Sequence, residues 1–182
     1  RSDGTAADIG TMASGAAKTE VGGLLPANLV YCGLAGTKPS LLWYTQAMKK
    51  KLRYNLDKKA SLKNTEIHIP WLVWYYNQDT LYLFAAIEQP TIKTRLFKAP
   101  FGNITDGSVC LGAGTAILEK AYVTYEELMK LVEAAFFGTN FTHQSETNIV
   151  KGNLMTLHKQ LHESKQPFPL EMLLSTRKSV KS

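Results

Sequence analysis

The apolar positions fall into short runs set off by glycine, proline and polar clusters. Leu24 to Cys32 (L-L-P-A-N-L-V-Y-C) predicts a first strand, closed by Gly33 and Gly36. Cys32 fits there as a small core residue, since nothing adjacent would activate it. Pro39 and Ser40 then predict the opening of a helix that runs to about Arg53. Its stripe is Leu41, Tyr44, Met48 and Leu52, and Lys49, Lys50 and Arg53 face water. A polar connector, Asp57 to Asn64, follows. Ile67 to Tyr76 and Leu81 to Ile87 read as an antiparallel hairpin around Asn77-Gln78-Asp79, with His68 in a structural place. Pro90 breaks the pattern, and Thr94 to Lys98 adds a third short strand.

Past an irregular loop the period changes from two to 3.6. Thr124 to Glu127 has the form of a capping box. Leu128, Leu131, Val132, Ala135 and Phe136 then form an amphipathic stripe that Gly138 ends. A second helix is predicted over about Asn148 to Glu163, with Val150, Leu154, Leu157 and Leu161 as its stripe. Pro167 and Pro169 close the packed region, and Leu170 to Leu174 predicts a last helical turn. The order predicts an α+β fold: an N-terminal helix, a small antiparallel meander, a cysteine loop and C-terminal helices.

Composition changes this picture little. The chain has 182 residues, 45% of them apolar, enough for one core without staples. Residues 1–23 are rich in Gly, Ala, Ser and Thr and are expected to be a disordered tail, with Arg1 to Thr11 an added stretch and Met12 the native start. The domain is expected over 24–174, with 175–182 a basic tail. Two isolated cysteines, Cys32 and Cys110, give neither a disulfide framework nor a metal-ligand spacing. The expected compartment is reducing and cytoplasmic, with no membrane segment, no secretory signal and no cofactor.

Charge adds one feature. Residues 37–63 hold eight cations (Lys38, Lys49, Lys50, Lys51, Arg53, Lys58, Lys59, Lys63) against Asp57 alone, a local +7 in a chain of net +6. Arg177, Lys178 and Lys181 lie near the C-terminus. Such a segment is either a solvated face or a docking surface for an acidic partner, protein or nucleic acid. Its only aromatics are Trp43, Tyr44 and Tyr54, with no RNA-binding signature, so nucleic acid is the weaker option.

Several chemistries lack their residues. H-E-x-x-H, C-x-x-C and G-x-G-x-x-G are absent, and Gly36-Thr37-Lys38-Pro39 has the wrong glycine spacing for a phosphate loop. His158 and His162 share a helix face, but no third metal ligand accompanies them. The chemistry-bearing stretch is Ala99 to Gly112, A-P-F-G-N-I-T-D-G-S-V-C-L-G. Cys110 follows a loop that leaves its sulfur reachable, although taken alone the Val109-Cys110-Leu111 step favours a core position. Gly107 and Gly112 leave room for an extended peptide tail, and Asn103 offers an amide donor to an oxyanion. Asp106 either orients an incoming amine or makes an Asx-type turn. His143, on the loop between the two late helices, could approach in space, but the sequence dictates no paired base, which argues against a Cys-His hydrolase.

These residues resemble the ubiquitin-conjugating enzymes, whose motif has the form H-P-N-[IV]-x-x-x-G-x-[IV]-C-L. Asn103-Ile104, Gly107 and Val109-Cys110-Leu111 match in type and order. More closely, the stretch resembles the bacterial conjugating-enzyme-like family that includes PRTRC system protein B. Pro70-Trp71-Leu72-Val73-Trp74, Pro100-Phe101-Gly102-Asn103 and Gly107 to Gly112 carry that resemblance. Phe101-Gly102 stands in place of His-Pro, and the loop from asparagine to cysteine is one residue shorter.

The resemblance implies a ubiquitin-conjugating-like fold and a thioester carried on Cys110, with transfer to an amine. Asn103 and Asp106 would assist catalysis, and Gly107, Leu111 and Gly112 would bind the tail. It implies as partners an adenylating, ThiF-like activating enzyme, a ubiquitin-like protein and a JAB-type metalloprotease of the same system. Lys49, Lys50 and Arg53 would dock the activating enzyme. The alternatives are an inactive binding module of the same fold and a basic accessory protein of a plasmid or mobile element.

Overall fold

A computed structural model describes residues 24–35, 38–54, 64–77, 80–118, 120–141 and 148–180. The expected residues 1–23 tail, Gly36, residues 57–63 of the polar connector, Gln78-Asp79 and His143 lie outside these. Antiparallel sheet dominates. The larger sheet runs in the order β1 (Leu29–Ala35), β2 (Lys38–Thr45), β5 (Trp71–Asn77), β6 (Thr80–Ala86), β7 (Arg95–Lys98) and β11 (Ser175–Ser179). A hairpin of β8 (Ile104–Thr105) and β9 (Ser108–Val109) joins it through β6. A smaller sheet orders β10 (Asn140–Phe141), β3 (Met48–Tyr54) and β4 (Asn64–Ile69).

This overturns the expected layout of a conjugating-enzyme-like fold with an N-terminal helix. The segment from Pro39 to Arg53 is not a helix but β2 and β3, joined at Gln46-Ala47. Its residues Ala47 to Arg53 have good helix propensity, and a helical stripe can be drawn through them. A period of two runs through the same residues, and tertiary pairing selects it. Trp43 faces Trp74 across β2 and β5, their rings stacked at 5.9 Å, and Leu52 and Tyr54 are buried from β3.

The hairpin between β5 and β6 forms as expected, and so does the third strand, β7. The stretch Ile67 to Tyr76 is not one strand, however. Pro70, without an N–H, divides it into β4 and β5, which pair with β3 and β2 respectively. The paired ribbon therefore bends where Gln46-Ala47 faces Pro70, and its two halves enter different sheets.

Among the described residues two helices are longer than one turn, the first packed on Trp74 of the larger sheet and the second on β4 of the smaller one. Helix α2 (Tyr125–Gly138), which follows the short α1 (Thr115–Leu118), has the expected capping box between Thr124 and Glu127. Helix α3 (Leu154–Ser164) is capped by Asn153 rather than starting near Asn148. The main core joins Leu128, Val132, Ala135 and Phe136 of α2 and Leu154, Leu157 and Leu161 of α3 to the inward rows of both sheets. Leu170–Met172 is a single 3-10 turn, and β11 then pairs antiparallel with β7.

Candidate active site

The stretch Ala99 to Gly112 is held at its front by an aromatic anchor. Phe101 is fully buried, with Phe136 edge-on at 5.2 Å and Phe141 stacked at 6.0 Å. Its N–H donates to the Ala99 carbonyl at 2.8 Å, a tight turn about Pro100. The apolar Phe101-Gly102 pair thus docks the loop through packing on α2 and β10.

Beyond the anchor, the chain forms the hairpin of β8 and β9. Its two-residue turn is Asp106-Gly107, with φ of 50° and 88°. Positive φ at both positions is the geometry that an Asp-Gly pair supplies to a primed hairpin turn. A Cβ at residue 107 would come within 2.3 Å of the Phe84 ring, so the position also needs the missing side chain. Asp106 is exposed, and its carbonyl accepts from Lys178 Nζ at 3.3 Å.

The ladder continues one step past the hairpin. Ile104 faces Val109, and the Cys110 N–H donates to the Asn103 carbonyl at 2.9 Å. Opposed residues of an antiparallel pair project to the same face, so Cys110 and Asn103 share one. Their environments differ. Cys110 is exposed, whereas Asn103 is buried and its Oδ1 has no hydrogen-bond partner among the described residues. Leu111 returns to the core, and Gly112 opens a 3-10 turn leading into α1. Gly112 has φ of 50° with open space around its Cα.

The structure thus brings Asn103, Asp106, Gly107, Cys110, Leu111 and Gly112 into one hairpin and its exit. It does not place Lys49, Lys50 and Arg53 on one helix face. On β3 Lys49 and Arg53 are exposed on one side together with Lys51, while Lys50 turns the other way, over the Phe137 ring at 4.5 Å. The two helical histidines also separate. His162 meets the backbone of Glu66, and His158 is fully buried. No cluster of three metal-ligating side chains occurs among the described residues.

Sequence reasoning did not find the polar group behind the loop. The Tyr54 hydroxyl and His158 Nδ1 are hydrogen-bonded inside the core. Burial lowers the His158 pKa to about 4, and it raises that of Tyr54. The Pro100 carbonyl opposes the shift of His158 by favouring a ring proton, although no hydrogen bond of ordinary geometry forms at Nε2. A second, partly buried group joins the tryptophans to α2. Glu133 accepts from Trp43 Nε1 at 3.0 Å and from Thr45 Oγ1 at 2.9 Å, and Thr45 Oγ1 accepts from Trp74 Nε1 at 2.8 Å.

Compared with known proteins, the chain matches the family described as prokaryotic E2 family D over residues 8–176. No curated relative and no solved structure matches it.

Proposed function

The chain belongs to prokaryotic E2 family D, and on that premise we propose that it carries a ubiquitin-like protein as a thioester on Cys110 and passes it to an amine. The observation that carries this reading is the exposed Cys110 hydrogen-bonded opposite the buried Asn103. An exposed thiol is not a core residue, and a buried amide beside it can donate to developing negative charge where water competes little.

In loading, the Cys110 thiolate attacks the carbonyl carbon of a thioester held by an adenylating activating enzyme. The new C–S bond forms as the enzyme's own sulfur leaves as a thiolate. In transfer, an amine of the acceptor attacks the same carbon. The C–N bond forms, the C–S bond breaks, the amine gives up a proton to solvent and the Cys110 sulfur leaves. Both steps pass through a tetrahedral oxyanion, and the Asn103 amide is the side-chain donor assigned to it. The backbone N–H groups at Leu111 and Gly112 lie next in the chain. Asp106 serves first as a turn residue, and the role assigned to its carboxylate is to orient the approaching amine.

The test mixes the chain with an activating enzyme, ATP and a ubiquitin-like protein. The expected product is a thiol-sensitive adduct on the wild type, none on Cys110→Ala, and a thiol-resistant ester on Cys110→Ser. No adduct with partners that are themselves competent would leave the binding-module reading in its place.

A further inference from the structure

A β-sheet ends in strands whose outer N–H and C=O groups lack a ladder partner, and folded chains blunt such edges with charge, proline, brevity or a covering element. Most edges here are blunted. β11 carries the exposed Arg177 and Lys178, and β8 and β10 are two residues long. The Glu66 backbone of β4 is met by His162 of α3 at 3.2 Å. β1 differs. It is the other edge of the larger sheet, seven residues long, L-V-Y-C-G-L-A, with neither a charge nor a proline. A bulge between Leu29 and Tyr31 disturbs only its first end, and Tyr31 to Ala35 runs in regular register on β2.

The alternation of hydrogen bonds says which groups of β1 face outward. The Tyr44 N–H donates to the Asn28 carbonyl at 3.1 Å, so the backbone groups of Tyr44, Leu42, Ser40 and Lys38 turn toward β1. Pro39, with no N–H to give, falls on the other parity. Tyr31, Gly33 and Ala35, which face Leu42, Ser40 and Lys38, therefore bond to β2. The N–H and C=O of Cys32 and Leu34 point away from the sheet, and no described strand lies beyond them. Apolar exposure gathers at the same edge. Of the nine exposed large apolar side chains among the described residues, Leu24, Leu25, Tyr31 and Leu34 lie on or just before β1, and Leu34 is 72% exposed. Tyr31 folds over Gly33 and fills the space a Cβ would take there, which supports an edge glycine in extended form.

We propose that β1 pairs antiparallel with β1 of a second copy of this chain, about a two-fold axis at Gly33. That axis sets Cys32 of one copy opposite Leu34 of the other, twice, and each such pair exchanges two N–H···O=C bonds through the outward groups. It uses the whole regular stretch, with Tyr31 opposite Ala35, and leaves the bulge outside. The two Gly33 residues oppose each other at the axis in the closer, non-hydrogen-bonded kind of pair, with no side chain of their own between them. A two-fold interface sets a patch against itself, and like charges facing across strands are destabilising. A charged edge would therefore select a complementary partner, whereas β1, without charge, is compatible with its own copy. A ladder this short falls below the about 1,000 Å² of a stable interface, so the association is weak and grows with concentration. The pairing joins the two larger sheets into one. The Cys110 hairpin joins at β6, with β2 and β5 between it and β1, so the pairing stands whether or not the thioester reading holds.

Sedimentation velocity and amide hydrogen exchange on the full chain, under reducing conditions and across a concentration series, test it. A dimer is expected to grow with concentration. Exchange at the Cys32 and Leu34 amides should slow with it, while Tyr31 and Gly33, already bonded to β2, change little. Leu34→Pro removes an outward N–H that the monomer does not use, and should weaken association by roughly tenfold or more. Leu34→Ala keeps that N–H and should weaken it by less than about threefold. If the proline variant does not fold, Leu34→Lys at the same exposed position is expected to give the same loss as proline. A monomer up to about 1 mM, a dimer indifferent to both the proline and the lysine substitution, or Cys32 and Leu34 amides already protected in the dilute chain overturns the proposal. So does slowing that requires an added ubiquitin-like protein, which would give the edge to a partner's strand instead.

Discussion

The backbone N–H of Cys110 donates to the carbonyl of Asn103 at 2.9 Å, which locks the exposed thiol opposite a buried amide. If that amide serves the oxyanion, its loss slows acyl transfer without altering the thiol. Asn103→Ala is expected to lower single-turnover discharge to an amine by about 100-fold. Alkylation of Cys110 by iodoacetamide, which has no oxyanion, should stay within about twofold. Equal losses in both reactions would assign Asn103 to holding the hairpin instead.

The two site glycines make a matched pair for a second prediction. Gly107 and Gly112 both have positive φ, but only Gly107 faces a ring, that of Phe84. Gly112→Ala carries the backbone term alone and should cost about 1 kcal/mol. Gly107→Ala adds a steric clash and should cost about 2–3 kcal/mol, since Phe84 sits in a packed cluster and must move. Urea unfolding of the two variants measures the difference; equal costs would mean that Phe84 yields freely.

The site was more legible in the sequence than the fold around it. Asp106-Gly107 announces its own turn, because few other residue pairs take positive φ twice, and the matching residues around Cys110 are contiguous. Helix α2 was legible for the same reason, its capping box being a local device. The Ala47 to Arg53 segment was not. Its propensity favours a helix, and only pairing with β4, the next strand, and with β10, far along the chain, makes it a strand. Tyr54 and His158 lie 104 residues apart, and Glu133 lies off the apolar stripe of α2. No local pattern joins such partners. Strand β11, whose S-T-R-K-S looks like a tail, depends likewise on β7.

Glu133 supplies a third prediction. It accepts from Trp43 and Thr45 in a setting that is partly buried. Glu133→Ala strands the indole N–H of Trp43, a fully buried residue, and should destabilise the chain by about 2 kcal/mol. Glu133→Gln keeps an acceptor and should cost about 1 kcal/mol or less. Chemical denaturation followed by tryptophan fluorescence reads both, and a Glu133→Gln variant as unstable as Glu133→Ala would point to the charge rather than the acceptor.

The last prediction concerns acid. Burial lowers the His158 pKa from 6.5 to about 4. An unfolded chain takes up a proton below pH 6.5 that the native ring refuses until about pH 4. The unfolded state therefore binds more protons across this window, and stability rises with pH through it. The neutral His158 contribution is full above pH 6.5 and lost progressively on descending to about 4, a change on the order of 3 kcal/mol. Carboxylates titrate in the lower half of the window, so the informative comparison is between the wild type and His158→Gln from pH 6.5 down to 5. The wild type should lose stability there, and the variant, though less stable at pH 7 because Tyr54 loses its ring partner, should lose less. Parallel curves would mean that His158 is not the residue whose protonation opens the core behind Pro100.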